Sequence, residues 1–519
     1  MTSADEGPEQ ETDRAKPASG DGLPSPGAAG LRALSIALLS SSVLVFAIWC
    51  WLAVTHVGDR YRIDQVSGVH MALAWDANHG ELYPPLYDGR TYGGTRYMPL
   101  PIVIDAAAAH LTGDYLRSGK LLSYVYGAGL IILLVAVLRT LRSSWSLAVG
   151  LAATILVTET GLAASMDARS DALPVLLQVG AIAVIRGRRG PGAAVTGAGL
   201  AALAFVTKVT AVWAPVAIAV WLLVENRSQL VRFCLAYVAF AGGLLTVFAL
   251  ASDGRLFENV FGLSGAGLEG AGPLLRSPYR FFHEAIPHAM AAWALVPFVV
   301  AAVWWVIHRR VLSIWCLGLA SYTAVLMVIL ADRGAGWNQL IDLTVLVALV
   351  VGELAGAASR DRRSRVLETS VAVTLVWVNV TGLAYLYGPE IKKVRDPAYL
   401  ATVTSGPVVG SVDATTRILA EDPYVPISLD RRPVVLDPFM LIAIGERDPA
   451  AVQGLEMRIR SQEFDLVVLR VSLQDPSMAW WFRDEAFGER IADALRANYV
   501  ETGWVAGYYE YRPAPTTNP

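Results

Sequence analysis

Apolar residues along this chain fall into long runs broken by short polar turns. A helix crossing a bilayer needs about 20 consecutive apolar residues. Runs near that length occur at 33–54, 118–138, 144–163, 171–185, 192–207, 209–224, 231–251, 286–307, 311–331, 337–357 and 367–387, which predicts eleven membrane spans. The segment 98–112 is also apolar, but it opens with prolines and contains Asp105 and His110. It is expected to lie as an interfacial or re-entrant helix. Residues 1–32 are rich in Pro, Gly, Ser, Asp and Glu, so they read as a disordered tail rather than a cleaved signal.

Two regions depart from the span pattern. The loop 55–117 after the first span carries GELYPPLYDG (Gly80–Gly89) and TRYMPLP (Thr95–Pro101), turn-rich stretches with tyrosines. Beyond the last span, residues 389–519 become charged and proline-containing. There 425–429, 433–437, 464–471 and 504–512 read as strands, and 449–462 and 480–498 as helices. The expected architecture is a polytopic α-helical membrane domain, 33–388, followed by a small α/β domain.

Short loops on one side hold Arg139, Arg142, Arg186, Arg188, Arg189, Arg227, Arg232, Arg309, Arg310, Arg360, Arg362, Arg363 and Arg365. The opposite turns hold only Arg169, Lys208 and Arg333. The excess marks the cytoplasmic side. The N-terminus is therefore expected inside, with loop 55–117 and the C-terminal domain outside.

Composition agrees with this class. Of 519 residues, 54% are hydrophobic and 17% charged, and mean hydropathy is +0.46. A net charge of −3 gives no reason to expect a nucleic-acid partner. Cys50, Cys234 and Cys316 all fall in apolar runs and read as small buried hydrophobes. The histidines show no paired ligand spacing, so no metal is expected, and no cofactor motif occurs.

Ionisable residues near apolar runs are costly and mark function. They gather at the outer ends: Glu159; Asp167, Arg169 and Asp171; Lys208; Asp332; then Asn338 and Asp342, four apart. The bland alternative is a set of interface charges that snorkel. It accounts poorly for Lys208, a cation in a short outer turn, and for Asp342, which lies inside an apolar run. The other reading is one site below the outer surface, roofed by the first loop. With a lipid-phosphate sugar as substrate, Lys208, Arg169 and an arginine of the first loop would hold the phosphate. A carboxylate would take the proton of the attacking hydroxyl. Asp64 fits best, following Arg60 and Arg62 close to the first span; its alternative is a surface carboxylate paired to Arg62. Asp59 and Asp76 are weaker candidates, and Asp88 more plausibly shapes a turn with Gly89.

The order of short motifs resembles the GT-C glycosyltransferases, bacterial relatives of dolichyl-phosphate-mannose protein mannosyltransferases and of the aminoarabinose lipid A transferase. The carriers are Asp64 after the first span, Gly80-x-Leu82-Tyr83, Tyr97-x-Pro99-Leu100, Arg169-x-Asp171, Lys208-x-Thr210 and Asn338-x-Leu340. The resemblance implies a polyprenyl-phosphate-linked sugar donor, a membrane-lipid partner and inverting transfer outside the bacterial plasma membrane. Of these motif residues, Tyr83, Tyr97, Arg169, Asp171, Lys208 and Asn338 are the substrate-binding candidates, joined by Arg62 and Arg96 of the first loop and by Glu159 and Asp342 of the outer charge cluster. The protein mannosyltransferases carry Asp-Glu in the first loop; here Gln65 follows Asp64. That weakens protein O-mannosylation and leaves a glycan, lipid or protein acceptor open. Two other expectations compete: a transporter or flippase of envelope precursors, and an inactive scaffold relative.

Overall fold

The computed structural model describes residues 26–187, 190–263, 271–285, 288–332, 336–358, 362–404, 409–410 and 412–515. Most of the expected N-terminal tail and Arg188, Arg189, Arg333 and Arg360 lie outside these residues.

Among the described residues the first ten helices are α1 Pro26–Thr55, α2 Gln65–Asn78, α3 Pro99–Thr112, α4 Tyr115–Thr140, α5 Trp145–Ala153, α6 Glu159–Met166, α7 Ala172–Gly187, α8 Pro191–Thr207, α9 Trp213–Glu225 and α10 Arg227–Ala251. Among the described residues, five helices are long and apolar enough to cross a membrane: Ala29–Thr55, Tyr115–Thr140, Arg227–Ala251, Trp337–Ala358 and Arg365–Lys393. Six shorter apolar helices accompany them, including α3 and α7 to α9. The chain is thus a multi-pass membrane protein, but the expected count of eleven spans is not reached by these criteria.

The run 144–163 shows why. Its apolar composition suits a span, yet the chain leaves the helix at Thr154 and restarts at Glu159. Thr158 caps the new start, its hydroxyl accepting from the Gly161 amide at 3.2 Å. The expected span 286–307 likewise divides into Met290–Ala294 and Val296–Arg309, with a proline at the second start.

The helix Leu340–Ala358 is mostly apolar and almost wholly buried, the pattern of a helix at the centre of a bundle. Its glycines permit close approach to the end of α4. A Cβ at Gly356 would lie 1.8 Å from the Leu141 carbonyl oxygen. The cysteines sit differently from expectation: Cys50 and Cys234 are exposed and Cys316 is partly buried. A thiol on a lipid-facing helix can meet acyl chains as well as a core, which apolar composition alone does not distinguish.

The C-terminal domain is built on a four-stranded sheet, order β1-β2-β4-β3. β1 (Ile418–Ala420) pairs in parallel with β2 (Leu466–Leu469), while β3 (Tyr499–Val505) and β4 (Tyr508–Pro513) form an antiparallel hairpin. Leu419, Val467 and Leu469 pack with Leu455 and Ile459 beneath it. The expected strand 464–471 is β2. The expected strand 504–512 is instead the hairpin, turned by Ala506 and Gly507 at positive φ. Residues 425–429 overlap the short helix Tyr424–Ile427 instead, and 433–437 make only an isolated bridge, Val435 to Tyr92. The expected helix 480–498 splits into Ala479–Asp484 and Glu489–Asn498, because Phe487 and Gly488 both take positive φ. The expected helix 449–462 is Pro449–Arg460.

The bridge matters for the site. The Tyr92 amide donates to the Val434 carbonyl and the Leu436 amide to the Tyr92 carbonyl, each at 2.8 Å. They tie the first loop to the C-terminal domain.

Candidate functional site

The first loop is anchored by a cation. Lys120 of α4 is fully buried, and its ammonium donates to the carbonyls of His56, Asp59 and Tyr61 at 2.7–2.8 Å. Its three N–H bonds are all met, which is what a buried ammonium needs. The chain then reverses at Arg62, a residue at φ 61°. This left-handed kink turns Arg62 away from Asp64, and its guanidinium pairs with Asp167 at 3.2 Å and Glu390 at 3.6 Å. The alternative pairing of Asp64 with Arg62 is therefore replaced by another.

Asp64 caps the N-terminus of α2. Its Oδ1 accepts from the amide and the hydroxyl of Ser67, both at 2.9 Å. Its Oδ2 is ion-paired with Arg169. Arg169 reaches it from the stretch between α6 and α7, a backbone held by Ser123, whose hydroxyl donates to the Arg169 carbonyl.

Two residues on, Asp171 joins three elements. Lys208, at the C-terminal end of α8, donates to its Oδ1 at 2.9 Å, and the Asn338 amide donates to the same oxygen at 2.8 Å. Arg96 pairs with Asp332 at 2.9 Å and lies 5.2 Å above the ring of Phe439. Arg280 donates to the carbonyls of Leu330 and Asp332 at 2.8 and 2.7 Å.

These groups share one cavity of about 590 Å³, between the membrane helices and the C-terminal domain. Arg96, Arg169, Lys208, Arg280 and Arg470 are its basic lining residues; Asp64, Asp171, Asp332, Asp437 and Glu485 are its acids. Burial raises the Asp437 carboxyl to about 6, although Arg96 pulls the other way. Burial also pushes the His70 imidazole, another lining residue, down to about 4. It is therefore neutral near pH 7.

The cavity brings together Asp64, Arg96, Tyr97, Arg169, Asp171, Lys208 and Asn338 of the residues singled out from sequence. Arg62, Tyr83, Glu159 and Asp342 do not line it. Tyr83 is buried and donates to the Tyr97 carbonyl at 2.8 Å, supporting a lining residue from behind. Glu159 is exposed and meets His288 at 2.9 Å. Asp342 accepts from the Trp213 indole at 2.7 Å and from Gln178 at 3.4 Å. Its carboxylate is thus satisfied inside the helix bundle rather than on the cavity wall. Of the weaker candidates, Asp59 pairs with His56, Asp76 with Arg432, and Asp88 caps the turn to Thr91. Sequence reasoning passed over His70, Arg280, Asp437, Phe439, Arg470 and Glu485. The only signal for most of them is the charge-rich character of the C-terminal domain, which does not single out residues.

No protein-family profile and no curated protein matches the sequence. Solved structures share its fold. ArnT from Cupriavidus metallidurans bound to undecaprenyl phosphate superposes with a TM-score of 0.55 at 10% identity, covering 91% of this chain and 98% of that one. Apo ArnT from the same organism gives 0.54 at 10% identity, with 93% and 98% covered. The archaeal oligosaccharyltransferase AglB from Archaeoglobus fulgidus, in complex with an inhibitory peptide and a dolichol-phosphate, gives 0.50 at 12% identity, with 93% and 75% covered. At such identities the likeness is one of fold alone: this chain shares the fold of these solved structures.

Proposed function

We propose that the protein is an integral-membrane glycosyltransferase that moves a sugar from a polyprenyl phosphate to an acceptor hydroxyl. One observation carries the reading. The Asp64 carboxylate shares a cavity with Arg169 and Lys208, at the end of the helices where a lipid phosphate would sit. The shared fold, with structures bound to undecaprenyl phosphate and dolichol-phosphate, supports the choice of donor.

In this reading the lipid tail stays in the bilayer and the phosphate lies against Arg169 and Lys208. Cations there stabilise the charge that grows on the leaving phosphate. Asp64 takes the proton of the acceptor hydroxyl as its oxygen bonds to the anomeric carbon. The bond from that carbon to the phosphate oxygen breaks with its electron pair on polyprenyl phosphate. A single displacement inverts the anomeric centre. Arg169 has two duties, since it now pairs with Asp64; a bound phosphate competes for the guanidinium and frees Oδ2 for the proton.

The protein would lie in a bacterial plasma membrane, its N-terminus cytoplasmic and its C-terminal domain outside, serving a cell-envelope glycan, lipid or protein. A transporter would place its charged groups near the midpoints of the helices. Here Arg169, Asp171, Lys208 and Asn338 sit at helix ends beneath the C-terminal domain.

The test is incubation of purified protein in lipid with a panel of polyprenyl-phosphate sugars and an envelope extract as acceptor. Released polyprenyl phosphate and a product of inverted anomeric configuration are expected. Retained configuration rejects the single displacement, and no consumption of any donor rejects the enzyme.

A further inference from the structure

The proposed reaction leaves one wall of the cavity without a task. The C-terminal domain supplies it: Asp437 and Phe439 at the start of the helix Pro438–Arg447, Arg470 just past β2, and Trp481 and Glu485 around the helix Ala479–Asp484. Two buried acids at the end of β1 hold this wall in place. Glu421 accepts from the Trp481 indole at 2.8 Å and from the Arg470 amide at 2.9 Å. Asp422 accepts from the Arg470 guanidinium at 3.3 Å and from the Tyr508 hydroxyl at 2.8 Å. Arg470 also donates to the Ile63 carbonyl at 3.2 Å, one residue before Asp64. Trp480 packs edge-on against Trp481, with ring centroids 5.8 Å apart.

The wall therefore presents a fixed, half-buried indole beside the carboxylates of Asp437 and Glu485, while the Arg470 charge is engaged by Asp422. Carboxylates accept hydrogen bonds from hydroxyls, and Arg96 and Arg280 beside Asp437 and Glu485 offset their charge, so the wall favours a neutral, hydroxyl-bearing ligand over an anion or a cation. An aromatic side chain offers a large apolar face at low entropy cost. A pyranose ring matches both features, with its C–H face on the indole and its hydroxyls toward the acids. The wall opposite, with Arg169 and Lys208, suits an anion instead.

We infer that this wall is a binding subsite for an uncharged, hydroxyl-rich carbohydrate. Calling that carbohydrate the acceptor rests on the glycosyltransferase reading; its binding does not. The acceptor class would then be a glycan, or the glycan part of a larger envelope molecule.

The experiment is equilibrium binding to the full-length protein in lipid nanodiscs, without donor. The probes are uncharged oligosaccharides and methyl glycosides, with serine- and threonine-containing peptides for contrast. At least one carbohydrate is expected to bind. Trp481→Ala should weaken it about tenfold, and Trp481→Phe by no more than about threefold, because a ring face remains. Glu485→Gln should weaken it by about fivefold and carries the test should Trp481→Ala fail to fold. The inference is overturned by a panel in which no carbohydrate binds, by binding of peptides alone, or by binding indifferent to the folded variants. Carbohydrate binding without sugar transfer would reject the proposed enzyme but leave this subsite standing. Transfer without carbohydrate binding would do the reverse.

Discussion

The membrane-helix wall and the C-terminal wall of the cavity hold charge in different ways. On the first, the acids are met by opposite charges across elements, Asp64 by Arg169, Asp171 by Lys208 and Asp332 by Arg96, while Arg280 rests on backbone carbonyls. On the second, acids are held by uncharged donors as well. Asp437 accepts from the Phe439 and Met440 amides, and Glu421 from an indole and an amide. The difference follows from surroundings. Next to apolar helices an unpaired charge is expensive, so opposite charges converge. In the domain, helix starts and strand ends provide donors without a second charge. What this teaches is a division of labour: a wall of ion pairs can exchange partners with an ionic substrate, while a wall of acids held by hydrogen bonds can present a shape.

The largest effect should come from the membrane side. Asp64→Asn keeps the α2 cap but removes the base, so turnover should fall by about 10²- to 10⁴-fold. Donor affinity should hold or rise as Arg169 is released, and melting temperature should fall only modestly because Asp64 is partly exposed. Equal loss of folding would mark the carboxylate as a structural partner of Arg169.

Next comes Lys208→Met. Losing a charge-assisted contact should weaken polyprenyl-phosphate binding by about tenfold to a hundredfold. It also leaves Asp171 buried without its cation, so melting should drop. Adding Asp171→Asn should restore melting and not affinity. Recovery of both would show that Lys208 serves only the fold.

The seam between the walls is tested by Gly68→Ala in α2. The added Cβ would lie 2.1 Å from Asp422 Oδ1. Overpacking of this kind costs about 1–3 kcal/mol. Denaturant unfolding should show it, with carbohydrate binding lowered as Arg470 and Trp481 shift. Unchanged stability would mean that the two sides yield easily.

On the C-terminal wall, burial raises Asp437 to about 6. The folded state then binds the proton more tightly than the unfolded state. The stability it gives is full below the ordinary carboxyl value and lost as pH rises through about 6. Asp437→Asn retains the cap and should flatten this part of the stability profile between about pH 4 and 7. An identical slope in the variant would refute the shift.

The smallest effect on activity is expected from Asp342→Asn, because Asp342 serves Trp213 and Gln178 inside the bundle. Turnover should stay within about twofold, whatever stability does. A large loss with intact folding would extend the site below the cavity.

The same contrast explains what the sequence disclosed. Lys208, Asp171 and Asn338 stood out because apolar residues surround them. Asp342 gave an equal signal, since the chain does not reveal that an indole and an amide lie beside it. Arg62 misled because a single left-handed residue turns its side chain away from Asp64. In the C-terminal domain, charges are ordinary, so nothing singled out Asp437, Arg470 or Glu485. Boundaries failed where a local conformation overrides periodicity: Thr158 restarting a helix, Ala506 and Gly507 folding one apparent strand into two, and the three residues of β1, too short to leave a pattern.

The most direct measurement is a structure of the protein in lipid with polyprenyl phosphate bound. The account predicts the phosphate within about 3 Å of the Arg169 and Lys208 donor atoms, with Asp64 no longer paired to Arg169. A phosphate seated against Asp437 and Glu485, or outside the cavity altogether, would contradict it.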